Sequence, residues 1–201
     1  NKFKSKTVLI SSKNGVIGSY DKEILTPQGE FLSYIIKFPL ILINPALREQ
    51  FKTYREYRPG SDNNVISYKD SDIKVLICSE LISPFKIHKN NADFIIGTGS
   101  LSVWGGDLSA TNQALTMSRF RAIENGKYLV FSSNGGQSYI INPAGGIEKI
   151  TPPNSYELLT GEIVPNSNQT WYNKLGDWPI LLASFAFLAL GVKKTYHVKT
   201  S

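Results

Sequence analysis

The sequence predicts an α/β sandwich closed by an apolar C-terminal helix. Three observations lead there. Short apolar runs of strand character recur, among them Lys74–Cys78 (KVLIC), Asp93–Gly97 (DFIIG) and Tyr128–Ser132 (YLVFS). A stretch of helical length, Thr111–Asn125, stands between the last two, and strands alternating with a helix indicate an α/β domain. The third is Trp178–Val192 (WPILLASFAFLALGV), fifteen residues without a charge. With 201 residues, 41% hydrophobic and 19% charged, the chain suits one globular unit with a real core and is not disordered.

In order, the chain opens on a hairpin. Thr7–Ser11 is β-branched and apolar, Asn14-Gly15 is a strong turn signal, and Val16–Tyr20 resumes the strand. The segment from Glu30 to Gly60 follows, an apolar run interrupted by Pro39 and Pro45 that breaks any long helix. A connection of this length is usually functional, although it could equally pack on its own domain. Strands Lys74–Cys78 and Asp93–Gly97 come next, then helix Thr111–Asn125 with Gly126 at its C-terminal cap. Tyr128–Ser132 and Ser138–Ile141 form strands around Asn134-Gly135-Gly136, Pro143–Gly146 is a turn, and Leu158–Val164 is the last strand. At ~1.5 Å per residue the terminal apolar run reaches about 22 Å, against a hydrocarbon core of roughly 30 Å. By length alone it suits a buried terminal helix. Its flanks, Trp171, Tyr172 and Trp178 before and Lys193, Lys194 and Lys199 behind, follow a membrane-anchor pattern.

The chemistry is narrowed by what is scarce. Two histidines without metal-ligand spacing and one cysteine argue against a metal centre, and no metal or other cofactor is expected. Gly97-Thr-Gly99 lacks the third glycine of a dinucleotide site. A net charge of +6 permits phosphate-rich partners, but the lysines are dispersed and no nucleic-acid partner is expected. Cys78 ends a buried-type strand. It reads either as a small hydrophobe or as a nucleophile, which needs a cation or base nearby.

Five landmarks occur in order: Tyr20-Asp21-Lys22, Leu25-Thr-Pro-Gln-Gly-Glu30, Ile77-Cys-Ser-Glu80, Arg119-Phe-Arg-Ala-Ile-Glu124 and Ser133-Asn-Gly135. Together they resemble the carbon–nitrogen hydrolase (nitrilase) superfamily. The Pro-broken insertion, and Gly176-Asp-Trp-Pro179 leading into the apolar helix, are similar to its apolipoprotein N-acyltransferase branch. That resemblance implies a nitrilase-like α-β-β-α sandwich, incomplete at its N-terminus, over 1–176, with 31–63 as a lipid-facing arm. A transmembrane helix over 177–195 and a basic tail over 196–201 would follow.

The resemblance also implies a Glu–Lys–Cys triad. Cys78 matches the nucleophile, Lys22 the oxyanion-stabilising lysine, and Glu30 and Glu80 two supporting glutamates. Ser79, Trp104 and Asn134 are candidates for substrate contact. The triad's base glutamate belongs upstream of the hairpin, where no segment before Thr7 can hold it, so the chain alone is expected to be inactive. The implied reaction moves a fatty acyl group from a phospholipid, through a thioester, to the diacylglyceryl-cysteine of an apolipoprotein. The implied location is a bacterial inner membrane, with the domain periplasmic and the tail cytoplasmic. An amidase acting on a small amide and an inactive membrane-bound domain are the alternatives. Departures from the family pattern are Ser79 where a tyrosine is usual, Gln28 in place of phenylalanine, and a shortened Ser102–Gly106 stretch.

Overall fold

A computed structural model describes residues 3–27, 29–53, 56–60, 63–83, 91–105, 107–153 and 155–199. Two strands, β1 (Lys6–Ser11) and β2 (Gly15–Asp21), pair antiparallel as the hairpin that Asn14-Gly15 announces. Six more form a mixed sheet in chain order: β3 (Val65–Tyr68), β4 (Ser71–Ile77), β5 (Phe94–Ser100), β6 (Leu129–Asn134), β7 (Tyr139–Ile141) and β8 (Ile147–Ile150). β4, β5 and β6 run parallel, and the other neighbours antiparallel. The period-2 alternation of β4 sorts the core into two clusters. Ile73, Val75 and Ile77 pack with Tyr20, Leu9 and Ile17 of the hairpin, whereas Leu76 faces Ile95, Leu129, Phe131, Ala122 and Leu115. The second face is covered by α3, which spans Leu108–Asn125. Hairpin, sheet and helix make three stacked layers.

Local chemistry sets the ends. Asp107 caps α3 by accepting from the Ser109 amide at 2.7 Å, and Gly126 closes it at φ 63. The expected start at Thr111 is therefore one turn late. Gly97 is a packing glycine: a Cβ there would lie 2.7 Å from the Phe131 ring. The 31–63 segment forms two short helices, α1 (Tyr34–Ile43) and α2 (Leu47–Thr53). Pro39 is tolerated inside α1, and the helix stops at Asn44 ahead of Pro45. No residue of α1 is buried, and Tyr34, Ile35, Leu42 and Ile43 are 82%, 85%, 67% and 82% exposed.

One expectation is corrected. Leu158–Val164 is not a strand; the sheet ends instead on β8, whose IEKI pattern is exposed throughout and gave no burial signal. The terminal segment is helical over Trp178–Lys199 (α5), after the short α4 (Trp171–Leu175). Among the described residues, however, no helix is long and apolar enough to cross a membrane. In the sequence the apolar stretch of α5 ends at Val192, and Lys193, Lys194, His197 and Lys199 follow. Of the expected basic tail, residues 200 and 201 lie outside the described residues.

One buried charge sits in the sheet itself. Lys74, on β4, is 1% exposed, and desolvation pushes its ammonium down to about 7. An unfolded lysine titrates near ~10.4, so between those values the unfolded chain binds more protons and stability rises with pH. Lys74→Met should therefore gain most relative to wild type at pH 7 and below. The gain should fade towards pH 10, with a slope difference of up to about 1.4 kcal/mol per pH unit. Thermal melts of the full-length protein across that range check this; parallel curves would contradict it.

Candidate active site

The C-terminal ends of the parallel strands β4, β5 and β6 are where a site belongs in such a sheet. β4 ends at Ile77, and Cys78 opens a one-turn 3-10 helix, Cys78–Leu81. Cys78 has φ 52, in the left-handed region that non-glycine residues rarely adopt, and it is exposed. A sharp strand-to-helix turn of this kind lifts a side chain clear of the sheet.

Glu80 fixes that turn. It is fully buried, and its Oε2 accepts from the Ile77 amide at 2.9 Å. Its Oε1 accepts from the Tyr20 hydroxyl at 2.6 Å and from the Glu23 and Ile24 amides at 2.8 and 3.1 Å. Burial pushes this carboxyl up from its ordinary value, while the Tyr20 hydroxyl, the Ile77 and Ile24 amides and the Lys22 charge pull it back. All four contacts are donors, which suits a carboxylate.

Lys22 follows directly after β2 and is 1% exposed. Its Nζ lies 2.6 Å from Glu30 Oε2, which also accepts from the Thr26 amide at 2.7 Å. A buried ammonium is thus paired with a carboxylate held by its own loop. The strand end is pinned from both sides, by Lys22 N to Ser5 O at 2.8 Å and by Gly60 N to Lys22 O at 2.7 Å. Gly60 has to be glycine, since a Cβ would meet the Asp21 carbonyl oxygen at 2.2 Å. Asp21 itself turns to Lys4 at 2.7 Å, the bond that chiefly holds its carboxyl below the usual range.

Of the remaining candidates, Ser79 donates its hydroxyl to Ile24 O at 3.1 Å, bracing the Lys22 loop against the cysteine turn. Asn134 ends β6 opposite Ser100, and its carbonyl accepts from the Leu101 amide at 2.8 Å. Trp104 closes the turn Ser102–Trp104 after β5, and its side chain lies outside the described residues. The Arg119–Glu124 landmark is structural. Arg119 Nε donates to Gly145 O at 2.8 Å, and Arg121 pairs with Glu124 at 3.0 Å. Tyr20 had no expected role, yet it reaches Glu80. The signal was its place two residues before Lys22, at the end of β2. A cavity of about 390 Å³ opens beside the Lys22 loop, walled by Leu25, Phe31, Leu32, Tyr57 and Pro59, with Glu23 and Glu56 at its lining. Among the described residues there is no group of His, Cys, Asp and Glu able to hold a metal ion.

The carbon-nitrogen hydrolase family model matches residues 2–173. The chain belongs to that family. Among curated relatives, an apolipoprotein N-acyltransferase of Coxiella burnetii is 34% identical over 86% of this chain and 35% of its own length. Those of Wigglesworthia glossinidia brevipalpis and Geobacter metallireducens are 33% and 27% identical over 88% and 96% of this chain, and 34% and 37% of their own lengths. The chain spans about a third of the length of these relatives. Among solved structures, yeast (Saccharomyces cerevisiae) Nit3 of the nitrilase superfamily has a TM-score of 0.52 at 18% identity, covering 74% of this chain and 49% of that one. An amidase from Nesterenkonia sp. gives 0.52 at 17%, covering 74% and 51%. At these identities the likeness shows the fold, a nitrilase-like α/β sandwich.

Proposed function

We propose that this domain transfers a fatty acyl group from a phospholipid to the α-amino group of a diacylglyceryl-cysteine on an apolipoprotein, with Cys78 as the acyl carrier. The observation that carries the reading is the exposed Cys78, at φ 52, beside a loop that buries the Lys22–Glu30 pair. The similarity to apolipoprotein N-acyltransferases over most of the chain supports it. In the first step Cys78 Sγ attacks the ester carbonyl, and the Lys22 ammonium stabilises the oxyanion. Collapse breaks the ester C–O bond, and the lysophospholipid leaves with the proton the thiol gave up. In the second step the acceptor amine attacks the thioester. A C–N bond forms, the C–S bond breaks, and the proton lost by the amine returns to sulfur. In the cavity beside the Lys22 loop, the Leu25, Phe31 and Leu32 wall offers apolar surface suited to a fatty chain.

Both substrates of this reaction are lipid-anchored, which favours work at a bacterial membrane surface. The exposed apolar side chains of α1 fit that surface as an arm. Each buries about 1.5–3 kcal/mol of transfer free energy on entering lipid. Leu42→Asp should therefore leave the fold and melting temperature intact, because Leu42 is 67% exposed, and should slow transfer from phospholipid vesicles. Transfer at the unmodified rate from vesicles would remove the arm from the mechanism. The reaction itself is tested by incubating full-length protein with phospholipid vesicles and a diacylglyceryl peptide. Triacylated peptide is expected, and hydrolysis of small amides without acyl transfer would favour amidase chemistry instead.

A further inference from the structure

We infer that Tyr20 is a positioning residue of this site: its buried hydroxyl, donated to Glu80, locks the strand end carrying Lys22 against the turn carrying Cys78. The inference rests on the acyl-transfer reading and deepens it. Tyr20 is 0% exposed, and its ring packs with Ile66, Ile73, Val75 and Ile77 between hairpin and sheet. Its hydroxyl emerges from that core 2.6 Å from Glu80 Oε1. Lys22 follows directly after β2, two residues beyond Tyr20, so a displacement of one carries the other. Glu80 binds the other half, through the Ile77 amide immediately before Cys78. The Tyr20–Glu80 bond therefore links the two halves of the site through side chains, alongside the Glu23 and Ile24 amides. Burial and the Glu80 carboxylate push the phenol far above its ordinary value, so it is a donor at any working pH. A charge-assisted bond of this kind is stronger than a neutral one and directional.

The groups facing Glu80 are Tyr20 and, at longer range, Lys22, which is neutralised by Glu30. On the other side of the sheet, α3 presents Arg121 already paired with Glu124. The Tyr20 hydroxyl pulls the Glu80 carboxyl down, so removing it lets Glu80 protonate at higher pH. A protonated Glu80 has to give one oxygen to an O–H and no longer accepts all four donors. The acid limb of the kcat profile should then move upwards.

The test compares wild type, Tyr20→Phe, Glu80→Gln and the double variant in full-length protein, using phospholipid vesicles and a diacylglyceryl peptide. Tyr20→Phe keeps the ring and should melt within a few degrees of wild type. We expect it to lower kcat by ~10-fold to 100-fold, the loss of one hydrogen bond to a charged group, with KM within about twofold. The acid midpoint should rise. Infrared titration of the protonated-acid C=O stretch, which Glu80→Gln removes, should show the same rise without reference to activity. In the Glu80→Gln background no carboxyl remains to titrate there, so Tyr20→Phe should leave the acid midpoint unmoved. Replacement by 3-fluorotyrosine, a stronger donor that preserves packing, should move the midpoint down. An unmoved Glu80 titration with unchanged kcat overturns the role of Tyr20 while leaving acyl transfer standing. So does an acid midpoint that still moves on Tyr20→Phe in the Glu80→Gln background. A moved titration in a protein that forms no acyl-enzyme overturns the acyl-transfer reading and keeps the Tyr20–Glu80 lock.

Discussion

Cys78→Ala and Cys78→Ser should each abolish acyl transfer, by at least ~10³-fold, with no loss of fold. The stability half follows from position. Cys78 is exposed, outside both core clusters, and its substitution opens no cavity. The activity half follows from chemistry. A serine hydroxyl at the same turn keeps the geometry but is a far weaker nucleophile without an activating base tuned to it. Radiolabelled acyl transfer by full-length variants checks this, and turnover by either variant within tenfold of wild type would remove Cys78 from the reaction.

Lys22→Met should lower kcat by about 10²–10³, the usual cost of one oxyanion donor, with KM little changed. Methionine keeps most of the buried stem, so the void is small. The partner left behind, Glu30, has a side chain 19% exposed and still accepts from the Thr26 amide, so water and its own loop absorb part of the lost pairing. Stability should fall by less than the roughly 3–5 kcal/mol seen when one partner of a fully buried pair is removed. Equal kcat in wild type and Lys22→Met would show that the lysine is a structural cation only.

How much of this was legible in the sequence varies by element. The hairpin was, because Asn14-Gly15 forces the turn and β-branched residues flank it. So was β4 with Cys78 at its end, since a KVLIC run has little other use. β3 and β8 were missed: a four-residue strand has too little pattern, and the Ile147–Ile150 strand is exposed on every residue. Leu158–Val164 misled for the opposite reason. It has the composition of a strand, but among the described residues the sheet ends at β8. In α1, a Pro39 that should break a helix is carried within ten residues.

The candidate site could be read as residues and not as contacts. Cys78, Lys22, Glu30 and Glu80 were all named, on resemblance. The pairing of Lys22 with Glu30 needs the Thr26–Glu30 loop to fold back, which spacing alone does not give. Four donors converging on Glu80 come from two stretches of chain more than fifty residues apart, and Tyr20 was passed over because a buried tyrosine usually reads as core.

The most direct measurement is the intact mass of full-length protein incubated with phospholipid vesicles before any acceptor is added. One acyl chain should appear on Cys78, lost on treatment with hydroxylamine and equally on addition of a diacylglyceryl peptide. Acyl transfer with no adduct on Cys78, or with the chain held on another residue, would contradict a thioester at this turn.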